Sequence, residues 1–136
     1  MSRPPTDADC PCGSGLPYEH CCGALHARHA LDGSLCAIDA QALMRSRYSA
    51  YVRGLHAYLR ATWHPSTRPD SLEPDDAGLR WLGLQVKAHR RQDDSHATVH
   101  FVARSKLGGR AHRLEEISRF VRENGVWYYV DGDFPG

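Results

Sequence analysis

The stretch His112-Arg-Leu-Glu-Glu-Ile-Ser-Arg-Phe-Val-Arg-Glu-Asn-Gly-Val-Trp-Tyr-Tyr-Val130 decides the fold class. Asn124-Gly125 is the strongest short hairpin signal a sequence offers. It separates a long run, His112 to Arg122, from a shorter aromatic one, Val126 to Val130. Upstream the period is also two, as half-buried strands require. Leu82, Leu84, Val86 and Ala88 alternate with polar neighbours; Ala97, Val99, Phe101 and Ala103 alternate with Thr98, His100 and Arg104. Gly108-Gly109 supplies a turn between the second and third runs. The expectation is a meander of four long antiparallel strands.

Before the strands the apolar spacing is helical. Asp39 is a good N-cap, and Ile38 with Leu43 has hydrophobic-staple spacing. Ala40, Leu43, Met44, Tyr48, Tyr51 and Val52 form one stripe, which Gly54 interrupts. Leu55, Tyr58, Leu59 and Thr62 continue on one side of a second helix, and Pro65 stops it. Pro65 to Gly78, with three prolines and the acidic Asp70, Glu73, Asp75 and Asp76, reads as loop. Helices followed by a strand meander make an α+β fold.

Bulk properties narrow the classes. A chain of 136 residues makes one domain, or one plus a small appendage. Its 41% hydrophobic and 24% charged residues are ordinary globular composition. A formal charge of +1 argues against a nucleic-acid clamp. No apolar run approaches the roughly 20 residues that cross a bilayer. A cytoplasmic protein is expected. Met1 to Asp9 is polar with nothing to bury, and His29 to Ala37 reads as a connector.

The densest chemistry lies in Cys10-Pro-Cys-Gly-Ser-Gly-Leu-Pro-Tyr-Glu-His-Cys21-Cys22-Gly23, which holds four of the five cysteines. Two close pairs around a glycine turn suit a tetrahedral zinc site, and Gly13 and Gly15 allow the chain to fold back around an ion. The adjacent Cys21 and Cys22 can share one ion only where the backbone kinks or a helix ends. A disulfide pair and four unrelated thiols are the competing readings. A disulfide framework belongs to exported chains, and the N-terminus has no basic segment followed by an apolar run. Cys36 reads as a reduced thiol.

This run resembles the SEC-C motif, a small zinc module with the pattern C-x-C-x8-C-[HC], also found at the C-terminus of the SecA translocation ATPase. The resemblance implies Cys10, Cys12, Cys21 and Cys22 as ligands of a structural Zn2+, with Cys22 where many members carry histidine. Backbone N–H groups of the glycine turn would offset the surplus thiolate charge. Leu43-Met-Arg-Ser-Arg-Tyr-Ser-Ala-Tyr51, Ala61-Thr-Trp-His-Pro-Ser-Thr67 and Arg119-Phe-Val-Arg-Glu-Asn-Gly-Val-Trp-Tyr-Tyr-Val-Asp-Gly132 are similar to the bacterial YchJ-like proteins. Those carry a SEC-C motif before a domain similar to nuclear transport factor 2, a cystatin-like cone of helices packed on a curved antiparallel sheet. The implied division is residues 1–28 for the zinc module and 29–136 for the cone. The resemblance implies a fold and no activity; such cones often dimerise through the outer sheet, which leaves room for a homodimer.

A cone has a mouth where small ligands bind. Arg47 lies on the stripe that should be buried, and a buried guanidinium requires a carboxylate or several carbonyls. Glu116 is the natural candidate, since Glu115 points to the other face. Tyr51, Trp63, His64, Tyr129 and Asp131 are candidates to line the same opening. The bland alternative is an internal Arg47–Glu116 ion pair that closes the cone. His64 is open to two readings, general base or helix cap. His96, His100 and His112 on adjacent strands lack ligand spacing.

Two functions follow. The first is an interaction module in which the closed zinc knuckle presents Leu16-Pro17-Tyr18-Glu19-His20 to another protein, with no catalytic residue. The second is a small-molecule binder or enzyme working in the cone near Arg47 and Glu116. A third, single-strand nucleic-acid binding by Arg119, Arg122 and Trp127, is disfavoured because strand aromatics are more often core.

Overall fold

A computed structural model describes residues 9–72 and 78–135; Glu73, Asp75, Asp76 and all but the last residue of the polar N-terminal stretch lie outside the described residues. Three helices, α1 (Cys22–Asp32), α2 (Ala40–Arg53) and α3 (His56–Ala61), precede four strands. These are β1 (Arg80–Arg91), β2 (His96–Leu107), β3 (Arg110–Glu123) and β4 (Val126–Asp133), antiparallel in the order β1-β2-β3-β4. The expected α+β fold is present. Both short turns have positive φ at each central residue, Gly108 and Gly109 at 59° and 79°, Asn124 and Gly125 at 52° and 79°. That geometry matches the right-handed twist of the strands it joins.

α2 starts as its sequence dictates. The Asp39 carboxylate accepts the Ala42 N–H at 2.7 Å, a cap worth about 1 kcal/mol. The staple does not form: Asp39 is fully extended and Ile38 before it is 86% exposed. Gly54 closes the helix in the left-handed region. The expected connector from His29 is corrected as well. α1 continues through Asp32 and ends at Gly33, which is also left-handed.

Leu82 breaks the expected alternation in β1. Trp81 pairs with Ser105 and Gly83 with Arg104, so Leu82 is an extra residue in a bulge. It turns out to solvent at 58% exposure. Trp81 instead packs edge-on against Tyr48 at 5.6 Å and beside Tyr51 at 6.1 Å. The bulge thus delivers an indole to α2 where period two alone would have placed a leucine.

The core joins Leu43, Met44 and Tyr48 of α2 to Val99, Phe101 and Phe120 of the sheet. Cys10, Cys12 and Cys22 belong to the same buried cluster. The cysteine run is therefore part of the cone's packing. A smaller cluster of Ala50, Tyr58 and Leu59 joins α2 to α3. After α3 the chain runs beside β4: Tyr129 N–H donates to the Thr62 carbonyl at 2.9 Å and His64 N–H to the Tyr129 carbonyl at 2.7 Å. This short bridge sets Trp63 and Tyr129 side by side, 5.1 Å between ring centres. Among the described residues no helix is long and apolar enough to cross a membrane.

Candidate functional site: a cysteine knuckle and a cone cavity

Cys10, Cys12, Cys21 and Cys22 bring their sulfurs within 4.8 Å of one another. The Cys12 and Cys21 sulfurs are 3.6 Å apart, far beyond the ~2.05 Å of a disulfide. A tetrahedral ion with bonds near 2.3 Å has sulfur–sulfur edges of about 3.8 Å. The set therefore fits a tetrahedral metal, and all five cysteines are unpaired as disulfides. Cys21 occupies the kink that two adjacent ligands need, at φ −134° and ψ −119°, immediately before α1. A 3-10 turn at Tyr18–His20 leads into it. Gly23 has no side chain because a Cβ there would lie 2.8 Å from the Tyr18 ring.

Without a cation the four sulfurs must share protons. Hydrogen bonds from Cys12 and then Cys22 pull Cys10 well below the ordinary thiol range. Cys22 is pushed far up, chiefly by its hydrogen bond to Cys10. A divalent ion would replace that proton sharing with direct bonds to the sulfurs. Charge on the sulfurs is offset by the Ser14 hydroxyl 3.1 Å from Cys21, the Ser49 hydroxyl 3.5 Å from Cys10 and the Cys12 backbone N–H. The glycine-turn donors expected from the sequence are not what the structure uses: two serine hydroxyls and the Cys12 N–H take that place, and the Gly13 N–H goes to the Cys10 carbonyl at 3.2 Å.

The knuckle is fastened to α2 by side chains the motif does not contain. Arg45 donates to the Cys12 carbonyl at 2.8 Å. His26 donates from Nε2 to the Ser46 carbonyl at 2.9 Å and accepts the Tyr18 hydroxyl at Nδ1, 2.5 Å. Burial holds the His26 imidazole below its ordinary pKa, which keeps it neutral for that relay. Arg53 covers the Tyr18 ring at 4.2 Å.

The cone encloses a cavity of about 280 Å³. Arg47, Tyr51, Trp63, Glu116 and Tyr129 line it together with Tyr48, Trp81 and Phe101. Arg47 is 6% exposed. Its Nη1 donates to the Leu59 carbonyl and the Thr62 hydroxyl, each at 2.7 Å. Its guanidinium carbon lies 4.6 Å from the Tyr129 ring centre and 5.1 Å from that of Trp63. The expected ion pair with Glu116 is absent: among the described residues no carboxylate comes within 4.0 Å of Arg47. Burial accordingly lowers its pKa.

Glu116 turns to its own sheet. Its Oε2 accepts the Ser118 hydroxyl and, at 3.1 Å, the Tyr129 hydroxyl. Gly132 makes room for it, since a Cβ there would fall 2.7 Å from the Glu116 Cγ and Cδ. Burial first, then the Glu116 charge, raises the Tyr129 pKa, so its phenol remains a donor. The cavity floor thus holds a cation and a carboxylate that do not touch.

His64 and Asp131 are not among the lining residues. His64 bonds Ser66 at 2.7 Å through Nδ1 and Glu123 at 2.6 Å through Nε2. That Ser–His–Glu sequence has the order of a relay, but the neighbouring N–H groups of Thr67 and Arg68 already bond the His64 carbonyl. Those two N–H groups are therefore not free to form an oxyanion hole beside it. Asp131 pairs with Arg119 at 2.6 Å. His96 bonds Asp93 and His100 bonds Glu115, so these two strand histidines are each engaged by a carboxylate rather than by one another. Sequence reasoning missed Thr62, whose hydroxyl helps hold Arg47, and Ser118 and Gly132, which seat Glu116; Ser118, two residues from Glu116 on one strand face, was the readable signal.

Family comparisons agree with this architecture. Residues 39–132 match the model for "YchJ, middle NTF2-like domain", and residues 8–24 match the SEC-C motif. The chain is 57% identical to a UPF0225 protein of Bordetella parapertussis over 98% of both chains. It is 52% identical to one from Chromobacterium violaceum over 96% of each. A SEC-C motif containing protein from Rhodopseudomonas palustris, solved in solution, superposes with TM-score 0.79 at 34% identity, covering 93% of this chain and 98% of that one. A second from Psychrobacter arcticus gives 0.75 at 28%, over 93% and 82%. With its N-terminal cysteine knuckle built onto an NTF2-like cone, the chain belongs to the YchJ-like UPF0225 family.

Proposed function

We propose that this chain is a small-molecule-binding protein whose cone cavity is the working site and whose cysteine knuckle holds a structural zinc. The observation that carries the reading is the buried Arg47 in a hollow cone, held by a carbonyl, a hydroxyl and two ring faces without a carboxylate. A cone closed for packing alone would neutralise that charge or fill the space. The knuckle is closed: four protein sulfurs complete a tetrahedron and leave no position for a substrate. Zinc is favoured by the all-sulfur donor set.

The test is a protein-observed NMR fragment screen on the zinc-loaded chain beside an Ala103→Phe variant. Ala103 lines the cavity at 2% exposure, and a phenyl group there occupies the space. Fragments are expected to shift the Trp63 and Trp81 indole signals in the parent and not in the variant. Equal binding to both would place the ligands elsewhere and overturn the reading. Elemental analysis should give one zinc per chain; none in metal-washed protein would remove the zinc assignment.

A second reading keeps the knuckle as a partner surface, favoured by one observation: Leu16 is 50% exposed, with Glu19 and His20 outward beside it. Tyr18 is not part of that surface, because it packs on His26. Removing residues 1–28 would take core cysteines with it, so the informative variant is Leu16→Ser. Loss of a specific captured protein from lysate with that variant supports the surface; an unchanged capture profile removes it.

A further inference from the structure

The cavity presents two polar groups at its floor and an apolar girdle above them. Arg47 uses only Nη1 for the protein; among the described residues its Nε and Nη2 hydrogens have no acceptor. Glu116, 7% exposed, uses Oε2 for Ser118 and Tyr129, while among the described residues Oε1 has no donor. Two residues with free edges of opposite character therefore line one open-mouthed cavity, and they do not engage each other. A planar fork of unpaired N–H donors is matched by a planar oxyanion, which it binds with two parallel charge-assisted hydrogen bonds. A carboxylate oxygen beside it is matched by a donor. Between them Tyr48, Trp81 and Phe101 supply ring surfaces suited to a flat body. The volume, about 280 Å³, lies at the small end for ligand pockets.

We infer that the cavity binds a small aromatic carboxylic acid that carries a hydroxyl or amino donor, its carboxylate on Arg47 and its donor on Glu116. The inference rests on the cavity being the working site. It adds the ligand's chemical class and polarity: anion toward α2, donor toward β3.

The experiment titrates the zinc-loaded full chain with 4-hydroxybenzoate, benzoate and 4-hydroxybenzamide, reading Trp63 and Trp81 by NMR and affinity by calorimetry. The acid is expected to bind about tenfold tighter than the amide, because only the acid gives Arg47 an anion. The hydroxy acid should exceed benzoate severalfold. Glu116→Gln should shrink the second ratio and spare the first. Arg47→Gln should bring the first toward one; if that variant does not fold, the parent's acid-to-amide ratio decides alone. Equal affinity for acid and amide at shifted tryptophans would overturn the ligand class and leave the cavity as a binding site. If none of the three probes moves either tryptophan, the ligand class falls, and the fragment screen alone decides whether the cavity binds.

Discussion

The knuckle and the cavity solve opposite problems with similar resources. In the knuckle four reactive side chains point at one place, and each is complemented by the other three. In the cavity two charged side chains share a space and each retains an unengaged edge. The first arrangement could hold one metal ion; under the proposed reading, the second is completed by a small molecule. A site with all donors mutually satisfied stabilises, and one with donors left open in a dry place recognises.

The largest test of that contrast is Cys12→Ser, which removes a fully buried ligand. Free energy on the order of 10 kcal/mol couples metal binding to folding in small zinc modules. Because three of the cysteines lie in the cone's own core, the variant should lose near-ultraviolet dichroism across the whole chain. A remaining cooperative transition with the aromatic signal intact would make the knuckle a separable appendage.

Gly132→Ala asks whether the Glu116 seat is tight. The new methyl meets the Glu116 side chain, and such overpacking costs about 1–3 kcal/mol. Denaturant melts should show it, while Glu116→Ala in the same background should recover most of the loss. Failure of the second change to rescue would show that the seat is loose.

Arg47→Met carries the contrast to its sharpest sign. Replacing an unpaired buried cation by an apolar chain of similar length is neutral or stabilising, by ~1 kcal/mol here after the lost hydrogen bonds are counted. Thermal denaturation should therefore show no loss while acid-over-amide selectivity disappears. A large destabilisation would mean Arg47 is structural.

The smallest effect is in pH. In the unfolded chain His26 takes up a proton as pH falls through its ordinary 6.5, whereas burial lowers its pKa in the folded protein. The unfolded state then binds more protons, so stability is full above about pH 6.5 and declines below it. The pH slope of the melting temperature between 7 and 5.5 should flatten in His26→Asn. An identical slope would show that His26 does not set the acid sensitivity.

Much of this was legible in the chain. The turns Gly108-Gly109 and Asn124-Gly125, the Asp39 cap and the cysteine pairs are local signals, decided within a few residues, and the helices, strands and knuckle follow from them. The Leu82 bulge was not legible, because alternation reports only the average phase of a strand and Trp81 wins the inward position by size and by its contacts with Tyr48 and Tyr51. Nor was the separation of Arg47 from Glu116. Charge complementarity suggested a pair, but the acceptors of Arg47 are the Leu59 carbonyl and Thr62 hydroxyl, which only the close turn from α2 to α3 brings near. Its two aromatic covers come from the Trp63–Tyr129 bridge, a contact across 66 residues of sequence.

One helix stands between the two regions. Arg45 and Ser49 of α2 serve the knuckle, while Met44, Arg47 and Tyr48 line the cavity. Neighbouring positions on one rigid rod thus belong to two different sites, and under the proposed reading metal and small molecule are arms of a single thermodynamic cycle. Whatever factor the ion applies to the molecule's affinity, the molecule applies to the ion's. An affinity quoted for either, without the occupancy of the other, describes only one corner of that cycle.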